Sequence, residues 1–560
     1  MALKTEFGRT TLLGVSFAVA ALFALMAAPV AVAASGPWVQ PVASLSETGQ
    51  HALDPRVAVG PDGTTTAVWR RFDGQHWRIQ AATRPPGGSF SAAGNLSAPG
   101  GNAFAPQIVA AADGTTTVAW ERVNGSGNSI VQTSTRTAGG AFGAAADLSA
   151  AGQNALGPRA AVAADGAVTV VWHRTGGGGD SVQASTRAAG GTFGPPLDLS
   201  ADGLAVQSPA VAVAPEGATA VVWTRTAGPA QVVQTAIRAP GGAFAAAVDV
   251  SANGFTINGP DVAVASDGDV TVVWQQQSGL VFRVQASTRP ASGSFGAPQP
   301  LSPALFSATG ARVVAAADGT ETVVWDLADG ATRLVQTSTR PHGGGFAGPV
   351  DVSGAGVATT AQLAVSRDGT TDVVWVRNLG GPTGDDLIQV ATRPPDGNYV
   401  PAVDLSPADG NAIDPAVALG PDGNLTVVWV ALIGGYNTIQ ARTSGAPPPA
   451  PPPPRVIPVA PVSIPPGGNP ADTPPKPLAR ARVTGSAKVG KTLTCTRRRF
   501  ANATRTRVRW LRGGWPIRGA THATYKVQRR DRGKLVTCEV RASGPGGSAT
   551  MVSRGVRVSR

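Results

Sequence analysis

The stretch "GPWVQPVASLS", Gly36 to Ser46, decides how the chain is read. It has one aromatic residue, a short apolar run and a closing Leu-Ser. It is too short to form a domain. It aligns with "GGSFSAAGNLS" (Gly87 to Ser97), with Trp38 in the place of Phe90. Each later copy of this pattern follows three other strand-like segments, whereas the first follows none.

Those three segments belong to a longer repeat. An apolar strand, Asp-Gly, and an apolar strand ending in Trp recur at Trp69, Trp120, Trp172, Trp223, Trp274, Trp325, Trp375 and Trp429. A "VQASTR"-like strand comes next, containing Gln80, Gln132, Gln183, Gln234, Gln285, Gln336, Gln389 or Gln440. Glycines, an aromatic and a short segment ending "DLS" complete the unit. Asp-Gly is a hairpin signal, because glycine accepts the positive φ of a tight turn. Helical periodicity is absent. Four short strands in a repeat of about 50 residues read as a β-propeller blade.

Eight units supply the first three strands, but only seven are followed by the fourth. The eighth runs from "IQARTSG" into proline. The missing strand is the opening fragment. The expected fold is therefore all-β: an eight-bladed β-propeller over residues 36–445, closed by its N-terminal strand. Closure removes the open sheet edge that would otherwise invite pairing with another chain. An open solenoid is the alternative, but its first repeat would not need an orphan strand. The first strands, rich in Ala and Val, are expected to line the central channel.

Residues 1–34 have the pattern of a signal peptide. Lys4 and Arg9 give a basic start, Leu12 to Ala28 is apolar, and "AVAA" ends the segment in small residues. A membrane anchor is the alternative. No later segment is long and apolar enough to span a bilayer. The mature chain is expected to be secreted or associated with the cell surface. Its charge is uneven. Gly36 to Ala446 holds 21 Lys/Arg and 30 Asp/Glu, a net of −9, while Leu478 to Arg560 holds 21 Lys/Arg and 2 acids, a net of +19. Such asymmetry points to a polyanionic partner for the tail.

Repetition separates scaffold from function. Asp62, Asp113, Asp165, Glu216, Asp267, Asp318, Asp368 and Asp422 share one turn position and read as turn formers. The eight Trp residues read as core between blades. The eight Gln residues are expected to bond neighbouring backbone. Function is expected where the units differ, on the face carrying the second-to-third and fourth-to-first connections. The binding candidates there are Arg70, Arg71, His76, Trp77, His173, Phe282, Asp385, Asp386 and Tyr436. Aromatic faces beside Asp and Arg suit a sugar or a peptide.

Catalytic and metal motifs are missing: no HExxH, no GxSxG and no Cys/His cluster occurs, and no metal or cofactor is expected. The repeats resemble those of secreted sialidase-type propellers. They depart from the Asp-box pattern, because Asp and Gly are adjacent here and Trp falls two residues later. The resemblance would imply a tyrosine nucleophile, but the body offers only Tyr399 and Tyr436, and no catalytic residue is carried over.

Residues 446–477 form a Pro-rich linker, extended and semi-rigid. Residues 478–560 resemble an immunoglobulin-like domain of bacterial cell-surface proteins, through "TGSAKVGKTLTC", "VRWLRGGWPIRGATHATYKV", "DRGKLVTCEV" and "ASGPGGSATMVS". The resemblance implies a β-sandwich with a Cys495–Cys538 disulfide packed on Trp510; free thiols are the alternative. The basic residues cluster. Arg497, Arg498 and Arg499 form one run, and Arg505, Arg507 and Arg509 alternate so that a strand would place them on one face.

The leading expectation is an exported, non-catalytic binding protein. Its propeller would recognise a glycan or an extracellular protein, and its basic domain would contact an anionic cell-envelope polymer. No dedicated nucleic-acid reader is recognisable. A glycan-active enzyme with its site at the channel mouth, and a structural spacer, are the alternatives.

Overall fold

The computed structural model describes Trp38 and residues 42–176, 179–201, 205–228, 230–252, 256–380, 386–395, 397–408 and 410–445. Further on it describes residues 476–477, 481–496, 500–501, 503–512, 515–517, 519–544 and 547–559. The expected leader, residues 446–475 of the expected linker, and the candidates Asp385, Arg497, Arg498 and Arg499 lie outside the described residues. The chain divides into two compact units, Met1–Pro451 and Pro452–Arg560.

The first unit is built of four-stranded antiparallel sheets in a propeller-like arrangement. Six are separate. Two further four-stranded sets are joined into one larger sheet by a single parallel bridge, Arg333 to Val357. The first set runs Ala52–Val59, Thr65–Phe72, Trp77–Arg84, Gly94–Asn95. The fourth strand is only two residues long in every set, shorter than the sequence suggests. The segment before it is rich in Gly and Pro, and its aromatic turns away to stack on an arginine. Phe90 lies under Arg84 at 5.3 Å and Phe142 under Arg136 at 5.3 Å.

The opening fragment takes the outer place in the last set. Its Ala43–Ser44 strand pairs with Tyr436–Thr443, and the order continues through Leu425–Ile433 to Ala412–Leu419. Ser46 Oγ accepts the Ile439 N–H at 2.9 Å, and Leu45 N–H donates to Ile439 O at 2.8 Å. The same serine contact recurs in the other sets, with Ser97, Ser149, Ser200, Ser251, Ser302, Ser353 and Ser406 each accepting a third-strand N–H at 2.9–3.0 Å. Trp38 stacks on Arg442 at 5.9 Å, as Phe90 does on Arg84. The fragment thus repeats the serine contact of its seven counterparts, with an arginine–aromatic stack like that of five of them.

The first strand of each set packs on the first strand of the next, and Ala412–Leu419 packs back on Ala52–Val59. All eight repeat Trp residues are fully buried. Each lies in a cluster with aliphatic residues of adjacent sets, as Trp69 does with Val428, Val430 and Ile439. At the Asp-Gly end, seven of the eight turn acids accept the N–H two residues on, for example Thr64 to Asp62 at 2.9 Å. The glycines after them have φ of 74 to 98°, which an L side chain would resist.

Third-strand arginines staple six of the sets to the one before, and in the sixth Arg340 does so through Asp269. Arg136 donates to Thr83 and Thr66 at 2.9 and 3.0 Å, and Arg238 to Thr186 and Thr169 at 3.0 and 3.2 Å. Arg84 makes the same contact across the chain ends, donating to Thr443 at 2.8 Å and Thr426 at 3.4 Å. One expectation is corrected. Six of the eight repeat glutamines bond the outer-strand side chain rather than backbone: Gln132 donates to Asp147, Gln234 to Asp249 and Gln336 to Asp351, each at 2.7 Å, and Gln80, Gln183 and Gln389 do the same. The pleat places Gln directly opposite that residue, so the side chains meet where the two-residue strand leaves no further ladder.

The second unit has a three-stranded sheet (Arg482–Gly485, Thr492–Thr496, Thr524–Lys526). It faces a five-stranded one (Trp515–Pro516, Arg505–Arg512, Leu535–Gly544, Gly547–Val552, Val556–Arg557). Cys495 and Cys538 form a disulfide between them, beside the fully buried Trp510. Asp531 is buried and held by Tyr525, Arg512 and the Gln528 N–H.

Candidate functional site

At the end of the sheets opposite the Asp-Gly turns, the repeats diverge. The strand edge there is built the same way in all sets: a register shift interrupts every first-to-second pairing. The bulged residue is left-handed each time: Asp54, Ala105, Gly157, Ser208, Gly259, Gly310, Thr360 and Asp414, with φ of 48 to 69°. Pro follows in six of the eight. Glycine suits this conformation, while Thr360 and the two aspartates hold it at a cost in strain. Such bulges re-aim side chains at sheet rims.

The first set concentrates the candidates. Arg70 Nε lies 2.7 Å from Asp54. Its guanidinium sits over Trp77 at 4.6 Å and over Phe104 of the next set at 5.5 Å. Phe72 supports Trp77 at 5.5 Å, and Asn102 accepts the Trp77 N–H at 2.9 Å. Across the seam from the last set come Asp414, 4.0 Å from Arg56, and Tyr436, whose ring lies 5.5 Å from His51. Asn437 N–H donates to His51 Nδ1 at 3.3 Å. Burial pushes the Asp414 carboxyl up; Arg56 opposes the shift and the Asp54 charge adds to it. The first set therefore carries an Arg70–Asp54 pair with Trp77 and Phe104 on its side toward the second set, and the Arg56–Asp414 and His51–Tyr436 contacts on its seam with the last set.

The structure brings Arg70 and Trp77 together and sets Tyr436 on the adjoining seam. Arg71 lies 3.7 Å from Glu47, and the His76 N–H caps Asp73 at 2.8 Å. His173 pairs with Asp180 at 3.4 Å, the Phe282 N–H donates to Ser307 at 3.1 Å, and Asp386 accepts Asn378 at 2.8 Å. These last three make contacts within their own or the neighbouring set. Phe104 is one of the aromatics that the sequence offers on these loops, whereas Asp54, Asp414 and Arg56 were not singled out by sequence reasoning. The signal was the aligned residue before Pro, Asp in two units and Gly in others, which marks a left-handed bulge.

Two positions after the left-handed residue, six of the eight sets carry a side chain more polar than the Ala/Val pattern of these strands implied, while Ala210 and Ala416 keep that pattern. Arg56, Gln107, Arg159, Asp261, Arg312 and Gln362 line a central cavity of about 440 Å³ bounded by all the first strands. The first strands line the channel as expected, with Val57, Ile108, Ala160, Val211, Leu363 and Val417 on its wall, but the position after the bulge adds charged and amide side chains to that apolar lining. Another acid acts behind the bulges. Asp326 accepts the Thr360 and Ala361 N–H groups at 2.8 and 3.3 Å, and burial raises its carboxyl to about 6. Tyr399 packs on Arg393 at 5.8 Å, in the place of the outer phenylalanines, away from this end.

In the second unit Arg505, Arg507 and Arg509 are exposed on one face of their strand, with Val508 and Trp510 turned inward. Arg509 pairs with Glu539 at 2.8 Å, and Arg541 lies directly opposite Arg507 in the ladder. Among the described residues no helix is long and apolar enough to cross a membrane.

No protein-family model and no curated protein matches the chain. Among solved structures it is similar to a protein of unknown function from Dyadobacter fermentans, at 12% identity and a TM-score of 0.36, covering 53% of this chain and 96% of that one. It is also similar to an ulvan lyase of polysaccharide lyase family 25 bound to a GlcA–Rha3S saccharide, at 9% identity and a TM-score of 0.46, covering 72% and 95%. A puromycin hydrolase matches at 16% identity and a TM-score of 0.41, covering 71% and 61%. Likenesses this weak do not bear on activity.

Proposed function

We propose that the chain is an exported binding protein. It carries an eight-bladed propeller whose divergent face recognises a glycan, and a basic immunoglobulin-like domain that contacts an anionic envelope polymer. The observation that carries the first part is the arginine held between Trp77 and Phe104, with Asp54 and the Asp414–Arg56 pair beside it. Aromatic faces receive the apolar face of a sugar ring, and flanking carboxylates and guanidiniums bond its hydroxyls. The exposed Arg505 and Arg507 support the second part, since guanidinium geometry matches carboxylate and phosphate groups. Titration of the full chain with neutral and acidic oligosaccharides tests the first part. Saturable binding weakened ~10-fold by Trp77→Ala is expected; binding indifferent to that change would overturn it. For the second part, Arg505→Glu with Arg507→Glu should lower the salt needed for elution from an anionic resin.

The Asp54–Asp414 pair favours a second reading, glycan cleavage. A carboxyl pushed up by burial, with the Asp54 charge adding to the shift, is the arrangement sought in a general acid. Turnover of any oligosaccharide, lost in Asp414→Asn, would establish it in place of pure binding.

A further inference from the structure

We propose that the central channel is a binding site for a small, multiply charged oxyanion, formed by Arg56, Arg159 and Arg312. Each guanidinium spends one N–H on the carbonyl of the preceding residue: Arg56 on Pro55 at 2.7 Å, Arg159 on Pro158 at 3.3 Å and Arg312 on Ala311 at 3.0 Å. That contact holds each arginine against its bulge. A guanidinium has five N–H donors and stays charged, so several per residue are left for the cavity that all three line. Among the described residues neither Arg159 nor Arg312 forms an ion pair, and Arg56 reaches only Asp414, at 4.0 Å. The three cations repel one another, and Arg159 senses both of the others. Asp261 and Asp414 are the carboxylates in the lining; one Asp261 oxygen already accepts the Val313 N–H at 3.0 Å, and Asp414 lies 4.0 Å from Arg56.

A concentration of like charge in a walled cavity is unfavourable to folding unless something answers it. An anion placed on the axis would receive N–H groups from three sides, from the first, third and sixth repeats. The volume of about 440 Å³ suits an inorganic oxyanion or a small polycarboxylate rather than a polymer. The site depends on Arg159 and Arg312, which are not part of the glycan reading, and it stands or falls separately.

The test is calorimetric titration of the full chain with sodium sulfate and with trisodium citrate, against sodium chloride. One saturable site is expected, and the tighter of the two anions identifies an inorganic or a carboxylate occupant. Arg159→Gln and Arg312→Gln should each weaken binding by ~10-fold or more, the usual effect of losing a charge-assisted hydrogen bond. Asp261→Asn, which keeps an acceptor for Val313, should tighten it. Trp77→Ala should leave it unchanged. No saturable binding, or binding insensitive to both arginine variants and to Asp261→Asn, would overturn the proposal. Should one arginine variant melt differently from the parent without anion, the Asp261→Asn result still decides.

Discussion

The two ends of the same sheets are built on opposite rules. At the Asp-Gly end the chemistry is repeated and mutually satisfied: Asp takes its turn N–H, Arg takes threonines of the preceding set, and Phe covers the Arg. At the other end the backbone repeats, down to the left-handed residue, but the side chains do not. Asp54 and Asp414 stand where Ala105 and Ser208 stand elsewhere, and Arg159 stands where Ala210 does. A repeat protein can hold its sets together at the end where most interfaces are near-copies, which leaves the other end free to carry single, unbalanced groups.

Breaking the seam should have the largest effect. The first and last sets are joined there without a covalent link, through Ala43–Ser44, Leu45, Ser46 and Arg84. A chain lacking residues 36–46 should lose stability comparable with that of a whole domain, roughly 5–15 kcal/mol. It should aggregate or unfold without a cooperative transition. Melting unchanged by the deletion would mean that the ring does not depend on its closing strand.

Next is Arg84→Ala. It removes bonds to Thr443, Thr426 and Thr65 and the stacking on Phe90, and should cost about 2–4 kcal/mol from charge-assisted hydrogen bonds and cation–π contact. Arg187→Ala, away from the seam, should cost less by denaturant titration. Equal losses would show that the seam is no weaker than any other interface.

Asp372 sharpens the contrast, because it breaks the rule at the repeated end. Six of the other seven sets have threonine here and the fourth has Ala220; Thr117 bonds the third-strand Thr135 and Thr271 bonds Thr288. Asp372 instead accepts Thr392 while buried, and burial raises its carboxyl to about 6 from the ordinary 3.8. The raised value means that the folded state resists ionisation. The resulting penalty is absent below about pH 4, grows between pH 4 and 6, and is complete above. Asp372→Thr should therefore raise stability at pH 8 by about 1–3 kcal/mol and leave it nearly unchanged at pH 4. A gain equal at both pH values would remove the carboxyl from the explanation.

The smallest effect on folding, and the most telling for function, is expected from Trp77→Ala. It should change stability by about 1 kcal/mol or less while weakening glycan binding ~10-fold, as truncating an aromatic anchor does. A variant that melts far lower but binds normally would place Trp77 in the scaffold.

Much of this architecture was legible in one chain, because eight copies act as an internal comparison. The Trp spacing, the Asp-Gly turns and the orphan "GPWVQPVASLS" gave strand order and partner, and the serine and aromatic of that fragment make the contacts of their counterparts. The candidate site was legible only in part. Arg70, Trp77 and Tyr436 were visible as departures from the repeat. Asp54 and Asp414 were not, since 360 residues separate them and only closure makes them neighbours.

The sequence by itself therefore determined what recurs: strands, turns, the buried tryptophans, the disulfide cysteines and the charge division between the two units. Local propensity and side-chain periodicity act over a few residues, and repetition amplifies them. Tertiary structure alone decided which singular residues share a space. A one-residue bulge reverses which side of a strand a position faces, and so turned Arg56, Arg159 and Arg312 from members of an apolar strand into the walls of a charged channel.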